Sequence, residues 1–103
     1  MEQKVKRNEE NSVFIGNKPF MNYVTGVVMQ FTMEKTREVV IKARGKFISK
    51  AVDIAEVASK RFLDGKAEVS NIKIDSEGFK NNEGNDIRVS IIEITLKKKL
   101  QVT

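Results

Sequence analysis

Ile41-Lys42-Ala43-Arg44-Gly45-Lys46-Phe47-Ile48-Ser49-Lys50-Ala51-Val52-Asp53 changes hydrophobic period halfway along its length. Before Gly45, Val39, Val40 and Ile41 form a short β-branched run; after it, Ile48, Ala51, Val52 and Ala55 recur at helical spacing. The stretch reads as strand, basic turn, helix. Residues 42–50 hold four basic side chains and no acidic one. A strand entering a helix through a glycine turn sets backbone N–H groups and the positive end of the helix beside Arg44 and Lys46, which suits an anion and above all a phosphate.

Working outward, the same grammar occurs upstream. Val13-Phe14-Ile15 is a short apolar strand, broken by Gly16-Asn17-Lys18-Pro19. Pro19 suits the first helical position, where a missing N–H costs nothing. The spacing predicts a helix over residues 19–33, with Phe20, Tyr23, Val24, Val27, Val28 and Phe31 as its buried stripe; these aromatics read as core and not as a base-stacking platform. A second strand is expected over 38–43. A second helix is expected over 47–63, with Ile48, Ala51, Val52, Ala55, Ser59 and Phe62 in one stripe and Ile54, Val57 and Ala58 beside it. So wide an apolar arc exceeds what one sheet face covers, which points to burial on several sides or to a second subunit.

Asp64-Gly65 closes that helix, and residues 69–75 read as a third strand in which Ile72 and Ile74 alternate with Lys73 and Asp75. Residues 76–86 read as a polar loop whose glycines and asparagines suit the tip of a protruding hairpin arm. A fourth strand over 87–96 is apolar on both faces near Val89 and Ile91, so covering that second face calls for another copy of the chain. The order is β-α-β-α-β-β, an α/β two-layer sandwich with both helices on one face. In such a unit both strand-to-helix turns fall at the same edge of the sheet and form one surface.

Composition bounds the chemistry. With 103 residues, 40% of them hydrophobic, the chain is long enough for one core; residues 1–11 read as a charged flexible tail and 12–103 as a single domain. Cysteine and histidine are both absent, which removes disulfides, thiol and imidazole catalysis and the common zinc sites. Gly45-Lys46 lacks the upstream glycine and following Ser/Thr of a nucleotide-binding loop, and Asp53 with Glu56 reads as a solvated pair on one helix. No enzyme, cofactor, metal or small-molecule substrate is expected. Without a membrane-length apolar run or a leader pattern, the protein is expected to be soluble and intracellular. The formal net charge of +5 gathers at residues 42–50 and at Lys97-Lys98-Lys99, which is the footprint of a polyanion binder.

Taken together, Ile15-Gly16-Asn17-Lys18-Pro19, Met21-Asn22-Tyr23-Val24, Ile41-Lys42-Ala43-Arg44-Gly45-Lys46, Ile48-Ser49-Lys50-Ala51-Val52-Asp53, Lys60-Arg61-Phe62-Leu63, Arg88-Val89-Ser90 and Ile92-Glu93-Ile94 resemble the Alba family of small basic archaeal chromatin proteins. The resemblance covers about residues 13–98. It implies a fold like the C-terminal domain of bacterial translation initiation factor three, a homodimer, and sequence-independent binding of double-stranded DNA that coats and compacts the chromosome in the cytoplasm, with RNA binding also known. The alternative is an RNA-binding module or ribonucleoprotein subunit. The candidate nucleic-acid contacts are Asn17, Lys18, Lys42, Arg44, Gly45, Lys46, Lys50, Lys80 and Arg88. Phe62 matches an aromatic residue at which dimers pack side by side on DNA. Where the family has two lysines, this chain has Asn17-Lys18, so the first lysine, whose acetylation weakens DNA binding in the family, is replaced by a residue without charge. Glu77, Glu83 and Asp86 also make the arm more acidic than approach to a minor groove favours, unless Lys80 and Arg88 lead.

Overall fold

A computed structural model describes residues 11–33 and 36–100. Strand β1 (Ser12–Phe14) leads to helix α1 (Phe20–Thr32), strand β2 (Glu38–Arg44), a 3₁₀ turn (Gly45–Phe47) and helix α2 (Ile48–Val57). A π-helical turn (Ala58–Phe62) extends α2, and the long strands β3 (Ala67–Lys80) and β4 (Asp86–Lys98) form a hairpin. The four strands make one sheet in the order β1-β2-β4-β3, with β1 parallel to β2 and the other pairs antiparallel. The expected tail at residues 1–11 lies outside the described residues except for Asn11, whose carbonyl accepts a hydrogen bond from the Val40 N–H at 2.9 Å.

The register shows how the sheet buries one face. Val39 pairs with Leu96, Ile41 with Ile94 and Ala43 with Ile92, and all six side chains are buried. They form one core with Tyr23, Val24, Val27 and Phe31 of α1 and with Ala51, Ile54 and Ala55 of α2. Both helices therefore pack on the same face, as the two-layer reading expects. At roughly 25 cal/mol per Å² of apolar surface removed from water, this shared core is the main favourable contribution to folding.

Four local expectations need correction. Pro19 sits one residue before α1, with an extended ψ of 146°, and so precedes the first helical position. The arm is not a loop over 76–86: pairing continues from Ser76↔Ser90 to Lys80↔Asp86, because alternation in a two-stranded ribbon needs no apolar face. The second helix does not stay α-helical. Its π-helical turn, in which the Leu63 N–H donates to the Ala58 carbonyl at 2.9 Å, absorbs an extra residue. Leu63, 1% exposed, then enters the core, whereas Phe62 is 51% exposed and Val52 also faces out.

The uncovered apolar face also differs from expectation. Val89 and Ile91 are half-buried, whereas on β3 Ile72 is 58% and Ile74 is 77% exposed. Each is paired with a buried β4 residue, Ile94 and Ile92, so both lie on the helix side of the sheet, beyond the cover that the helices supply.

Candidate nucleic-acid interface

Parallel pairing of β1 and β2, with Phe14 opposite Lys42, makes both strands run out at the same end of the sheet. The loop Gly16-Asn17-Lys18-Pro19 and the turn Arg44-Gly45-Lys46 leave from that end. Gly45 turns with φ +55°, a left-handed conformation that L side chains seldom adopt. The neighbouring Arg44 and Lys46 are both exposed.

Two side chains hold the upstream loop. The Tyr23 hydroxyl accepts hydrogen bonds from the Gly16 N–H at 2.8 Å and the Lys18 N–H at 3.1 Å. Lys50 Nζ donates to the Gly16 and Lys18 carbonyls, both at 2.7 Å, and stands 5.1 Å from the centre of the Tyr23 ring. Lys50 is thus engaged by the loop and is less open than Lys18 and Lys46. Its bonds join the first turn of α2 to the segment before α1, so the two basic turns form one continuous surface. Among the described residues, Lys18 and Lys46 have no acidic partner, and Asn17 is exposed beside them.

The other candidates point away from that edge or lie on the arm. Lys42 and Arg44 point to the sheet face opposite the helices. Lys42 Nζ is 4.0 Å from Glu93 and 5.5 Å from the centre of the Phe14 ring, and Arg44 bonds Glu77 at 2.8 Å. Lys80 and Arg88 are on the arm, where Lys80 bonds Asp86 at 2.8 Å and Arg88 donates to the Ser76 hydroxyl at 2.9 Å. Five residue pairs carry the arm about 16 Å past the turns, from the same end of the sheet. Its tip is built by Asn81, whose side-chain oxygen accepts from the Glu83 N–H at 2.9 Å and the Asn85 N–H at 3.0 Å, while Gly84 turns with φ +82°. Phe62 lies away from these contacts on the π-helical turn.

Local patterns do not mark Phe14 or Tyr23 as parts of this region, and they mark Glu77 only as an acidic residue of the arm. Tyr23 falls in the apolar stripe of its helix and Phe14 in a short apolar strand, and the Arg44–Glu77 pairing joins residues on strands that only the sheet order brings near.

The architecture defines a small α/β protein with two helices on one face of a mixed sheet, two basic strand-to-helix turns at one end, and a hairpin arm rising beside them. A family model described as Alba matches residues 11–76, and the chain belongs to the Alba family. It is 58% identical over 88 residues to the DNA/RNA-binding protein Alba of Nanoarchaeum equitans, covering 84% of this chain and 97% of that protein. It is 54% identical over 90 residues to DNA/RNA-binding protein Alba 1 of Archaeoglobus fulgidus, covering 87% and 98%. Among solved structures, Alba from Thermoplasma volcanium superposes with a TM-score of 0.76 at 46% identity, covering 84% of this chain and 99% of its own. ALBA1 from Trypanosoma brucei superposes with a TM-score of 0.67 at 25% identity, covering 85% and 68%.

Proposed function

We infer that this chain binds nucleic acid through its backbone, with double-stranded DNA as the main ligand and RNA as a second, and that it coats the chromosome in the cytoplasm as a non-catalytic packaging protein. The observation that carries this reading is the convergence of Lys18 and Lys46, both without acidic partners among the described residues, on one edge that Lys50 ties together. Such an edge contacts phosphates, and phosphate contacts position a protein without reading sequence. Neither helix offers an exposed row of Arg, Asn and Gln for base edges. The relatives named DNA/RNA-binding proteins support the same ligand class. In this reading Asn17, Lys18, Gly45 and Lys46 meet the backbone directly, Arg44 joins them on leaving Glu77, Lys50 holds the loop, and Lys80 and Arg88 lead the arm.

The functional unit in this reading is a homodimer. Ile72, Ile74 and Val52 are exposed apolar residues on the helix side of the molecule, and a second copy of the chain would cover them. Phe62, exposed on the π-helical turn, is then free for contact between dimers. Two copies would present two basic edges and two arms to one duplex.

The test is salt-titrated binding to duplex DNA, duplex RNA and single-stranded RNA of matched length. Log K for duplex DNA should fall against log salt with a slope of about 0.9 for each neutralised phosphate. Unrelated duplexes of equal length should agree within about tenfold, since each base contact in a reading protein is worth on the order of 1–3 kcal/mol. A thousandfold preference for one sequence would overturn the sequence-independent mode.

A further inference from the structure

The sheet face opposite the helices carries a depression of about 700 Å³ that backbone binding at the basic edge meets only at Arg44 and Gly45. Its rim holds Phe14, an aromatic ring 65% exposed on an edge strand, although the residues around it on β1 and β2 are largely covered. Lys42 stands 5.5 Å from the centre of that ring, Arg44 is two residues further along β2, and Val89 and Ile91 supply an apolar floor. Glu77 and Glu93 close the wall, bonded to Arg44 and lying 4.0 Å from Lys42. Phe14 also borders a second depression that contains Lys18 and Asn22, so one ring separates the basic edge from the sheet face.

We propose that this face is a single-stranded RNA site in which an unpaired base stacks on Phe14. The inference rests on the nucleic-acid reading above and adds to it a ligand form and a residue. A stacking platform needs an exposed aromatic face beside cations that hold the adjoining phosphates, and Phe14 with Lys42, Arg44 and Lys18 meets both needs. A duplex cannot use the ring, because its bases are already stacked. Glu77 and Glu93 repel a phosphate lying deep in the depression, but they accept hydrogen bonds from base-edge N–H groups and from a ribose 2′-hydroxyl, which favours RNA over DNA. A protein partner suits the face poorly, since four charged residues surround one ring and the centres of protein interfaces are depleted in charge. The exposed isoleucines of β3 are on the opposite face, so covering them leaves this one open.

The experiment uses the full chain, a 12-nucleotide single-stranded RNA carrying one 2-aminopurine, its deoxy counterpart, and a duplex DNA of equal length. Phe14→Leu should weaken RNA binding by about tenfold with the salt slope unchanged, while duplex DNA affinity stays within about twofold. Phe14→Tyr, which keeps the ring, should restore RNA binding. The wild type should quench 2-aminopurine fluorescence on the RNA, and Phe14→Leu should not. Equal losses on RNA and duplex, or unchanged RNA binding and quenching in Phe14→Leu, overturn the site while leaving duplex binding intact. An equal Phe14 dependence on the deoxy strand overturns the assignment to RNA. A wild type that binds none of the three ligands overturns the nucleic-acid reading itself.

Discussion

Arg44 Nη2 lies 2.8 Å from Glu77 Oε1, which ties the end of β2 across β4 to the base of the arm on β3. Both side chains are more than half exposed, so the pair adds little to stability; exposed ion pairs are typically worth about 0–1 kcal/mol. Its consequence is for ligand binding. The guanidinium at the basic edge already holds an anion, and a phosphate must take the place of that carboxylate.

Glu77→Gln should therefore tighten duplex binding at low salt by about two- to fivefold and steepen the salt slope by about 1 for each phosphate that Arg44 then neutralises. Thermal unfolding should hardly move. An unchanged affinity and slope would show that Arg44 remains off the ligand.

Asn17→Lys addresses the same surface from the other turn. One added phosphate contact per subunit, or two per dimer, should steepen the slope by about 1 to 2, with the gain in affinity shrinking as salt rises. Stability should change by no more than about 0.5 kcal/mol, as is usual for exposed positions. A well-folded variant with the wild-type slope would mean that this loop faces away from the nucleic acid.

Tyr23→Phe removes only the hydroxyl that accepts the Gly16 and Lys18 N–H groups. The loss should destabilise the protein by about 1–3 kcal/mol, the cost of leaving partly buried donors without a partner. Affinity should fall even though no charge is lost, because the loop that presents Lys18 is less well ordered. Binding isotherms at one salt concentration, read beside urea unfolding curves, measure both effects.

Phe62 and Leu63 separate surface from core. Phe62→Ala should leave the melting temperature nearly unchanged and reduce cooperative coating of long DNA, whereas Leu63→Ala should cost about 2–5 kcal/mol because it empties a filled core position. Calorimetric melting of the two variants distinguishes them. A large loss in Phe62→Ala with little change in Leu63→Ala would reverse the orientation of the π-helical turn.

Much of this protein is legible in local patterns. The change of period at Gly45, the break at Gly16-Asn17-Lys18-Pro19 and the alternation along Ile92, Ile94 and Leu96 determine the order of elements, because strands and helices carry different apolar periods that a linear sequence displays directly. Lys18, Arg44 and Lys46 follow from the same reading, since a basic residue in a strand-to-helix turn needs no distant partner to be recognised.

The tertiary structure decided what depends on residues far apart in the chain. Periodicity put Phe62 in the buried stripe, and only the extra residue absorbed by the π-helical turn exchanges it for Leu63. Lys50 reads as a free cation until packing brings it to carbonyls 32 and 34 residues away. Phe14 is apolar in an apolar strand, yet its strand is an edge and its side chain lies on the face away from the helices. Ile72 and Ile74 alternate as buried strand residues should, but the helices do not extend over this part of β3, so their partners on β4 are covered and they are not. A sequence determines which side of a strand is apolar; which side is covered depends on how far the neighbouring layer extends, and that is set by the packing of the whole chain.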